Sequence, residues 1–372
     1  MNPKKYWPSL DGIRGVAILL VIAHNAQMID PVGPGAAGKI TQYLLNLGWV
    51  GVLLFFVLSG FLITGILLDT LQRPHGMRNF LARRALRIFP LYYGTLAFFF
   101  LLLPAVGLQP ELVQASAPHQ AWLWAYLGNW TRYEWALPHL WSLAVEEQFY
   151  LVWPLVVYLF RTPKAVMIAS AVVALGSIVT RAALWHAQVD PGFIYAWTPT
   201  RLDALALGAL AAAAWRLDGA SGWLNRQGRW LLPVGLAVLG LGFVVTKGYA
   251  RSSAIGQILG YATLAVFFTT LVWRAAWQDQ RDSSAKPHWH RMLTWAPLTS
   301  VGRYSYAMYM FHKPLHDFLS PTVLKTLNIQ TVGSPLWASL HVAGVSLAAY
   351  CLAWLSWHLY EVHFLRLKRL FE

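Results

Sequence analysis

Three groups of residues carry chemistry that a largely apolar sequence has little other reason to keep. The first lies in residues 9–25, SLDGIRGVAILLVIAHN, where Asp11 and Arg14 stand near the start of an apolar run and His24 near its end. A helix rises ~1.5 Å per residue, so Arg14 and His24 would lie ~15 Å apart along its axis. Arg14 then sits near one membrane surface and His24 toward the bilayer interior. Ionisable side chains at depth are expensive to keep and are functional candidates by default, and histidine is the commonest general base. A charged helix end with one polar residue packed on a neighbouring helix accounts for the same residues without chemistry.

The second group is Glu146 and Glu147 in HLWSLAVEEQFYLVWP, about two turns into another apolar run. Adjacent carboxylates inside a membrane need partners or protonation. Successive helical residues point ~100° apart, so the two should serve different neighbours: one an arginine, the other a cavity. The third group is Arg84 and Arg87 in RNFLARRALRIFPLYY. Three residues apart, they share a helix face, and with Arg83 they suit phosphate binding. Taken alone, an ordinary basic cluster beside anionic head groups is the simpler explanation. Ser59-Gly60-Phe61 permits close helix approach. Arg201 and Asp203 open one later run; Arg303 and His312 lie nine apart on another, again arginine then histidine. His312 serves either packing or chemistry.

The elements that must position these residues are membrane helices. The 372 residues are 57% hydrophobic and only 12% charged, against about 25% charged in soluble domains. Repeated runs of this length imply helices rather than a barrel. The predicted fold is all-α and polytopic, with ten spans at 9–28, 48–69, 86–107, 139–160, 165–185, 200–216, 231–246, 254–275, 298–318 and 336–360. Asp11 and Arg14 interrupt any signal-peptide core, so the first span is expected to remain uncleaved. No internal repeat or long linker appears. One transmembrane domain over 1–372 is expected, with no soluble domain appended.

With these spans, 19 Lys and Arg fall on one side and 6 (Lys39, Arg132, Arg181, Lys247, Arg251 and Lys325) on the other. This asymmetry puts both termini in the cytoplasm and accounts for the formal charge of +14 without nucleic acid. The outer segment 108–138 carries Trp122, Trp124, Tyr126, Trp130, Tyr133 and Trp135, a composition produced by interfacial aromatic belts and by sugar-binding surfaces. The single cysteine, Cys351, lies in an apolar run and argues against disulfides or a Cys-based metal site. No P-loop, HExxH or GxSxG pattern is present.

Six stretches together resemble the membrane-bound acyltransferase-3 family: LDGIRGVAILLV (10–21), FFVLSGFLIT (55–64), RRALRIFPLYY (83–93), HLWSLAVEEQFYLVWP (139–154), RLDALALG (201–208) and VGRYSYAMYMFHKPL (301–315). They occur in family order across nearly the whole chain. The resemblance implies a ten-helix core in the bacterial cytoplasmic (inner) membrane that moves an acyl group, most commonly acetyl, from cytoplasmic acyl-CoA to a glycan, lipid-linked sugar or small-molecule hydroxyl. Acyl-CoA is then a co-substrate, and no bound cofactor or metal is implied. The resemblance marks Arg14 and a first-helix histidine as essential, points to Arg84 and Arg87 for the donor, and makes Glu146/Glu147 part of the core. His24 would act as base on the acceptor hydroxyl or carry the acyl group transiently. Asp11, Asn25 and His312 complete the expected substrate-binding set.

The family usually places one more residue between the arginine and the histidine. Here His24 falls about 80° around the helix from Arg14, and Asn25 takes the usual histidine register. A local π-bulge could restore the geometry, His24 could work from another angle, or the chemistry could be altered or lost. A transporter or flippase of a polar solute or glycolipid uses similar buried ionisable residues. Many such folds contain repeats, which this sequence lacks.

Overall fold

The computed structural model describes residues 6–26, 35–108, 111–131, 137–217, 220–245, 253–281, 286–319 and 334–371. Every regular element among them is helical. The longer helices are α1 (Pro8–Asn25), α2 (Val50–Thr70), α3 (Gly76–Ala97), α4 (Leu140–Phe160), α5 (Pro163–His186), α6 (Leu202–Ala214), α7 (Ala220–Val245), α8 (Tyr261–Asp279), α9 (Ala296–Pro314) and α10 (Pro335–Ser356). Each predicted stretch overlaps one of them.

Among the described residues, six helical stretches are long and apolar enough to cross a membrane: Ala36–Thr70, Gly76–Ala105, Leu140–Phe160, Pro163–His186, Gly256–Asp279 and Pro335–Phe371. Leu202–Ala214 and Leu232–Val244 are apolar but shorter. The polar residues that make α1 and α9 chemically interesting, Asp11, Arg14 and His24 on one and Arg303, His312 and Lys313 on the other, also lower their hydropathy.

Burial follows composition. The most apolar window of Ala36–Thr70 is 72% buried and that of Pro335–Phe371 only 22%. A helix that is apolar on every face belongs in the centre, and α2 is that helix. It packs against α1 and α6; α1 also packs along α9, and α6 along α5. Glycine allows the α2–α6 crossing. A Cβ at Gly60 would stand 1.9 Å from the Leu205 carbonyl oxygen, and one at Gly208 would stand 2.1 Å from that of Val57. The small-residue reading of Ser59-Gly60 therefore holds, and the close approach sets Ser59 beside α4.

The start of α1 is fixed by another helix. No side chain of its own caps it, and Pro8 occupies the first turn, where a missing N–H costs nothing. Asp279, at the end of α8, accepts from both Ser9 N (3.1 Å) and Ser9 Oγ (2.7 Å). The other oxygen of Asp279 meets His290 Nε2 at 2.8 Å. This buried clasp satisfies an orphan N-terminal donor and sets the height of Asp11 and Arg14.

Arg181, counted above among the six basic residues of the outer side, is a helix residue. It is wholly buried in α5, where Nη2 pairs with Asp203 Oδ2 at 2.6 Å and Nη1 donates to the Thr200 carbonyl at 2.6 Å. A paired internal arginine carries no topological signal. Lys4, Lys5, Arg132, Tyr133, Trp135, Lys247, Arg251 and Lys325 lie outside the described residues.

Candidate active site

Three cavities follow α1 from its start to its end. The largest, about 840 Å³, opens beside the first turns of α1 and is lined by Arg14, Arg73, Arg83, Arg87, Arg216 and Arg303 with Asp11 and Asp69. Arg14 Nη1 meets Asp11 Oδ1 at 2.8 Å. Arg216 grips Asp69 through Nε and Nη2 at 2.9 and 2.7 Å. Arg73, Arg83, Arg87 and Arg303 have no acidic partner within 4.0 Å among the described residues. Converging guanidinium groups without acids suit a polyanion, because each can offer a planar fork to phosphate.

Arg14 and Arg87 also line the second cavity, a narrow space of about 90 Å³. It holds a hydrogen-bonded chain: Tyr150 donates to Ser59 Oγ at 2.9 Å, and Ser59 donates to Glu146 Oε1 at 2.7 Å. Arg84 faces this space, with its guanidinium 5.3 Å from the centre of the Tyr150 ring. Arg84 and Arg87 therefore divide their work: Arg87 reaches the large cavity and Arg84 does not. Glu146 lines the cavity; both glutamates fall within electrostatic reach of Arg84, and Glu147 also within that of Tyr92, Tyr93 and Tyr126. Neither forms an ion pair within 4.0 Å among the described residues.

Val52 and Tyr309 carry the wall onward to a third cavity, about 240 Å³, at the far end of α1. His24 and Asn25 both line it, with His139, Trp49, Trp141 and Tyr195. The helix is a regular α-helix from Pro8 to Asn25, so no π-bulge shifts the register. His24 faces the cavity from its own angle, and Asn25 turns Nδ2 back to the Val21 carbonyl at 3.1 Å. His312 lies behind this wall, fully buried. Its Nδ1 meets the Tyr309 carbonyl at 2.7 Å and its ring centre lies 5.3 Å from that of His139.

Sequence reasoning did not single out His139, Tyr309, Tyr150 or Ser59 as site residues. His139 opens the same motif as Glu146, but a position at the edge of a span reads as a boundary. Ser59 reads as packing. The tyrosines had no signal beyond the aromatic richness of the chain. Of the outer aromatic residues, Trp124 and Tyr126 are stacked on Tyr93 and Tyr92 at centroid distances of 5.8 and 3.9 Å. Trp122 and Trp130 are exposed, and Trp130 Nε1 donates to Gln148 at 3.0 Å.

Comparison with known proteins decides the family. Residues 7–358 match the acyltransferase-3 family model, described as an acyltransferase domain. The chain belongs to the acyltransferase-3 family. Among the relatives of this acyltransferase-3 protein, the peptidoglycan O-acetyltransferase OatA of Listeria monocytogenes is 27% identical over 86% of this chain and 51% of its own length. The putative peptidoglycan O-acetyltransferase YrhL of Bacillus subtilis is 27% identical over 96% of this chain and 54% of its own. The O-acetyltransferase OatA of Staphylococcus aureus is 29% identical over 86% and 52%. The chain thus spans about half the length of the curated relatives it matches. No solved structure matches it. The matched region is an acyltransferase-family domain with several apolar helices suited to a membrane.

Proposed function

We propose that this chain crosses the bacterial cytoplasmic membrane ten times with both termini inside, and transfers an acetyl group from cytoplasmic acyl-CoA to a glycan or glycolipid hydroxyl at or across the membrane. One observation carries the reading: the arginine-lined cavity, the narrow cavity and the His24 cavity follow one another along α1 and share wall residues. The chemistry of the first fits CoA, whose phosphates would meet Arg14, Arg83 and Arg87. Among the described residues these guanidinium groups outnumber the acids beside them. The narrow cavity admits a small acyl group and not a nucleotide.

A hydroxyl is a weak nucleophile near neutral pH and needs a base within hydrogen-bond reach. His24 supplies that lone pair at the acceptor end, or takes the acyl group on its ring before passing it on. Asp11 holds Arg14 toward the donor. Glu146 fixes Ser59 and Tyr150 between donor and acceptor, while Glu147 balances Arg84 from the tyrosine side. Asn25 and His312 shape the acceptor wall. A glycan acceptor agrees with the printed names of the relatives, and its rings would stack on Trp49 and Trp141.

The test uses membranes carrying wild type or His24→Ala, supplied with acetyl-labelled acetyl-CoA. Base-labile label should enter glycan or lipid fractions with wild type and fall by about 10²-fold or more with His24→Ala. Label unaffected by the substitution removes His24 as catalyst. No transfer by wild type, with acetyl or longer acyl-CoA, sinks the acyltransferase reading in favour of transport.

A further inference from the structure

The outer cavity is backed by a cation that no described residue neutralises. Arg201, the residue before α6, is wholly buried. Among the described residues its guanidinium nitrogens have no hydrogen-bond acceptor within 3.5 Å and no acid within 4.0 Å. Asp203, two residues on, is taken by Arg181 at 2.6 Å. Rings enclose the charge instead. The guanidinium carbon lies 5.7 Å from the ring centre of Phe56, 5.8 Å from that of Trp141, 5.0 Å from that of Tyr195 and 4.9 Å from that of Tyr261. A guanidinium does not deprotonate in proteins, and buried charges are normally paired. Ring faces offset only part of that cost. A buried charge in this state points to an opposite charge that arrives with a ligand.

Two rings of this cage are also the wall of the cavity. Trp141 and Tyr195, whose ring centres are 4.9 Å apart, both line it. An atom touching either ring sits about 3.5 Å from it, hence roughly 8–9 Å from the guanidinium. Arg201 is sealed behind the rings and touches no ligand; it acts through its field alone. Among the described residues no carboxylate lines the cavity. The acids nearby are already occupied. Asp190, beside Gly192 at the cavity wall, is exposed and accepts from Phe193 N at 2.7 Å. Asp317 pairs with Lys313 at 2.6 Å. Glu146 belongs to the narrow cavity, in company with Arg14, Arg84 and Arg87. The positive field of Arg201 therefore falls on the acceptor end uncancelled.

We propose that the acceptor is an anionic sugar, carrying a carboxylate or phosphate near the hydroxyl that is acylated, and that Arg201 selects it across the Trp141–Tyr195 wall. This rests on the acyltransferase reading above. Arg201 is a specificity residue: it takes no part in bond making, and its contribution is the charge it holds behind the wall. At an effective dielectric of about 20, a unit charge at this distance favours an anion over a neutral isostere by about 10- to 30-fold in affinity. Mobile ions screen a sealed charge much less than an exposed one, so the preference should persist in salt that weakens binding at the donor cavity.

The experiment uses the full chain in proteoliposomes, labelled acetyl-CoA as donor and envelope glycan of the host as acceptor. Two pairs of oligosaccharides compete for the acceptor cavity. One pair is a hyaluronan tetramer and the same tetramer with its carboxylates converted to amides. The other is an N-acetylglucosamine tetramer with and without a phosphate ester. In wild type the charged member of at least one pair should inhibit about 10- to 30-fold more strongly than its neutral partner, and the pair that separates identifies the anion as carboxylate or phosphate. Arg201→Gln should bring that ratio within about twofold of one, and Arg201→Lys, which keeps the charge, should retain most of it. A thioether analogue of acetyl-CoA, which binds and cannot transfer, should keep its affinity within about twofold in both variants, as expected for a residue on the acceptor side. Equal inhibition within both pairs on wild type, or no inhibition by any probe, overturns the proposal. So does an Arg201→Gln protein that keeps the wild-type ratio. Loss of analogue binding by both variants also overturns it, because the arginine would then serve the fold. Absence of transfer by wild type to the host glycan overturns the acyltransferase reading itself.

Discussion

At the scale of single residues, Arg84 and Arg87 test whether the cavities have separate roles. They sit one turn apart on α3, yet Arg87 lines the large basic cavity and Arg84 only the narrow one. A charge-assisted hydrogen bond to phosphate contributes about 1.5–3 kcal/mol. Arg87→Ala should therefore raise the KM for acetyl-CoA by about 10- to 100-fold. Arg84→Ala should leave KM within about threefold and lower kcat, since its neighbours are Tyr150 and the glutamates rather than the donor phosphates. Steady-state kinetics on both variants checks this, and equal effects on KM would put both arginines on the donor. The sequence could show that the pair shares a helix face. It could not show that a second cavity begins between them, because the boundary is made by Ser59, Tyr150 and Tyr306 from three other helices. His24 was legible for the opposite reason: a histidine in an apolar run is visible without knowing its neighbours.

At the scale of elements, close packing predicts opposite outcomes for one substitution. Gly208 faces the α2 backbone, where a Cβ would meet the Val57 carbonyl oxygen at 2.1 Å. Backbone on backbone leaves nothing flexible to yield, so Gly208→Ala should force α2 and α6 apart and destabilise by about 1–3 kcal/mol. Gly344, on the outward face of α10, has nothing within 4 Å of the same added atom. There the change only removes chain entropy from the unfolded state, and Gly344→Ala should be neutral or stabilising by about 0.5–1 kcal/mol. Thermal unfolding in detergent separates the two; equal shifts would show that the crossing is not as tight as described. The pattern RLDALALG suggested a helix entrance with two charges and said nothing of Arg181 as the partner of Asp203. That pairing depends on α5 and α6 lying side by side. Apolar runs located each helix, including α1 and α9, whose polar residues lower their hydropathy. Their polar faces are satisfied by neighbouring helices, as with Asp279 at the start of α1.

At the scale of the molecule, the reading is directional. The basic cavity surrounds the first turns of α1, and the histidine cavity lies at its last turn. Arg73, Arg83 and Arg216 belong to the side that the excess of Lys and Arg assigns to the cytoplasm. On the proposed function, donor and acceptor enter from opposite faces, and only the acyl group passes the narrow space between Ser59, Glu146 and Tyr309. CoA is too large and too charged to follow it through about 90 Å³ or to cross the bilayer unaided. Sealed vesicles make this measurable. Acetyl-CoA added outside inside-out vesicles should support O-acetylation of a glycan trapped in the lumen. The same addition to right-side-out vesicles should support none until the membrane is permeabilised. Activity should also fall as ionic strength rises in the donor compartment, because screening weakens exposed charge contacts over about 10 Å at 0.1 M salt. Equal activity in both vesicle orientations would mean that donor and acceptor share one face, and the serial arrangement of cavities would then have no role in transfer.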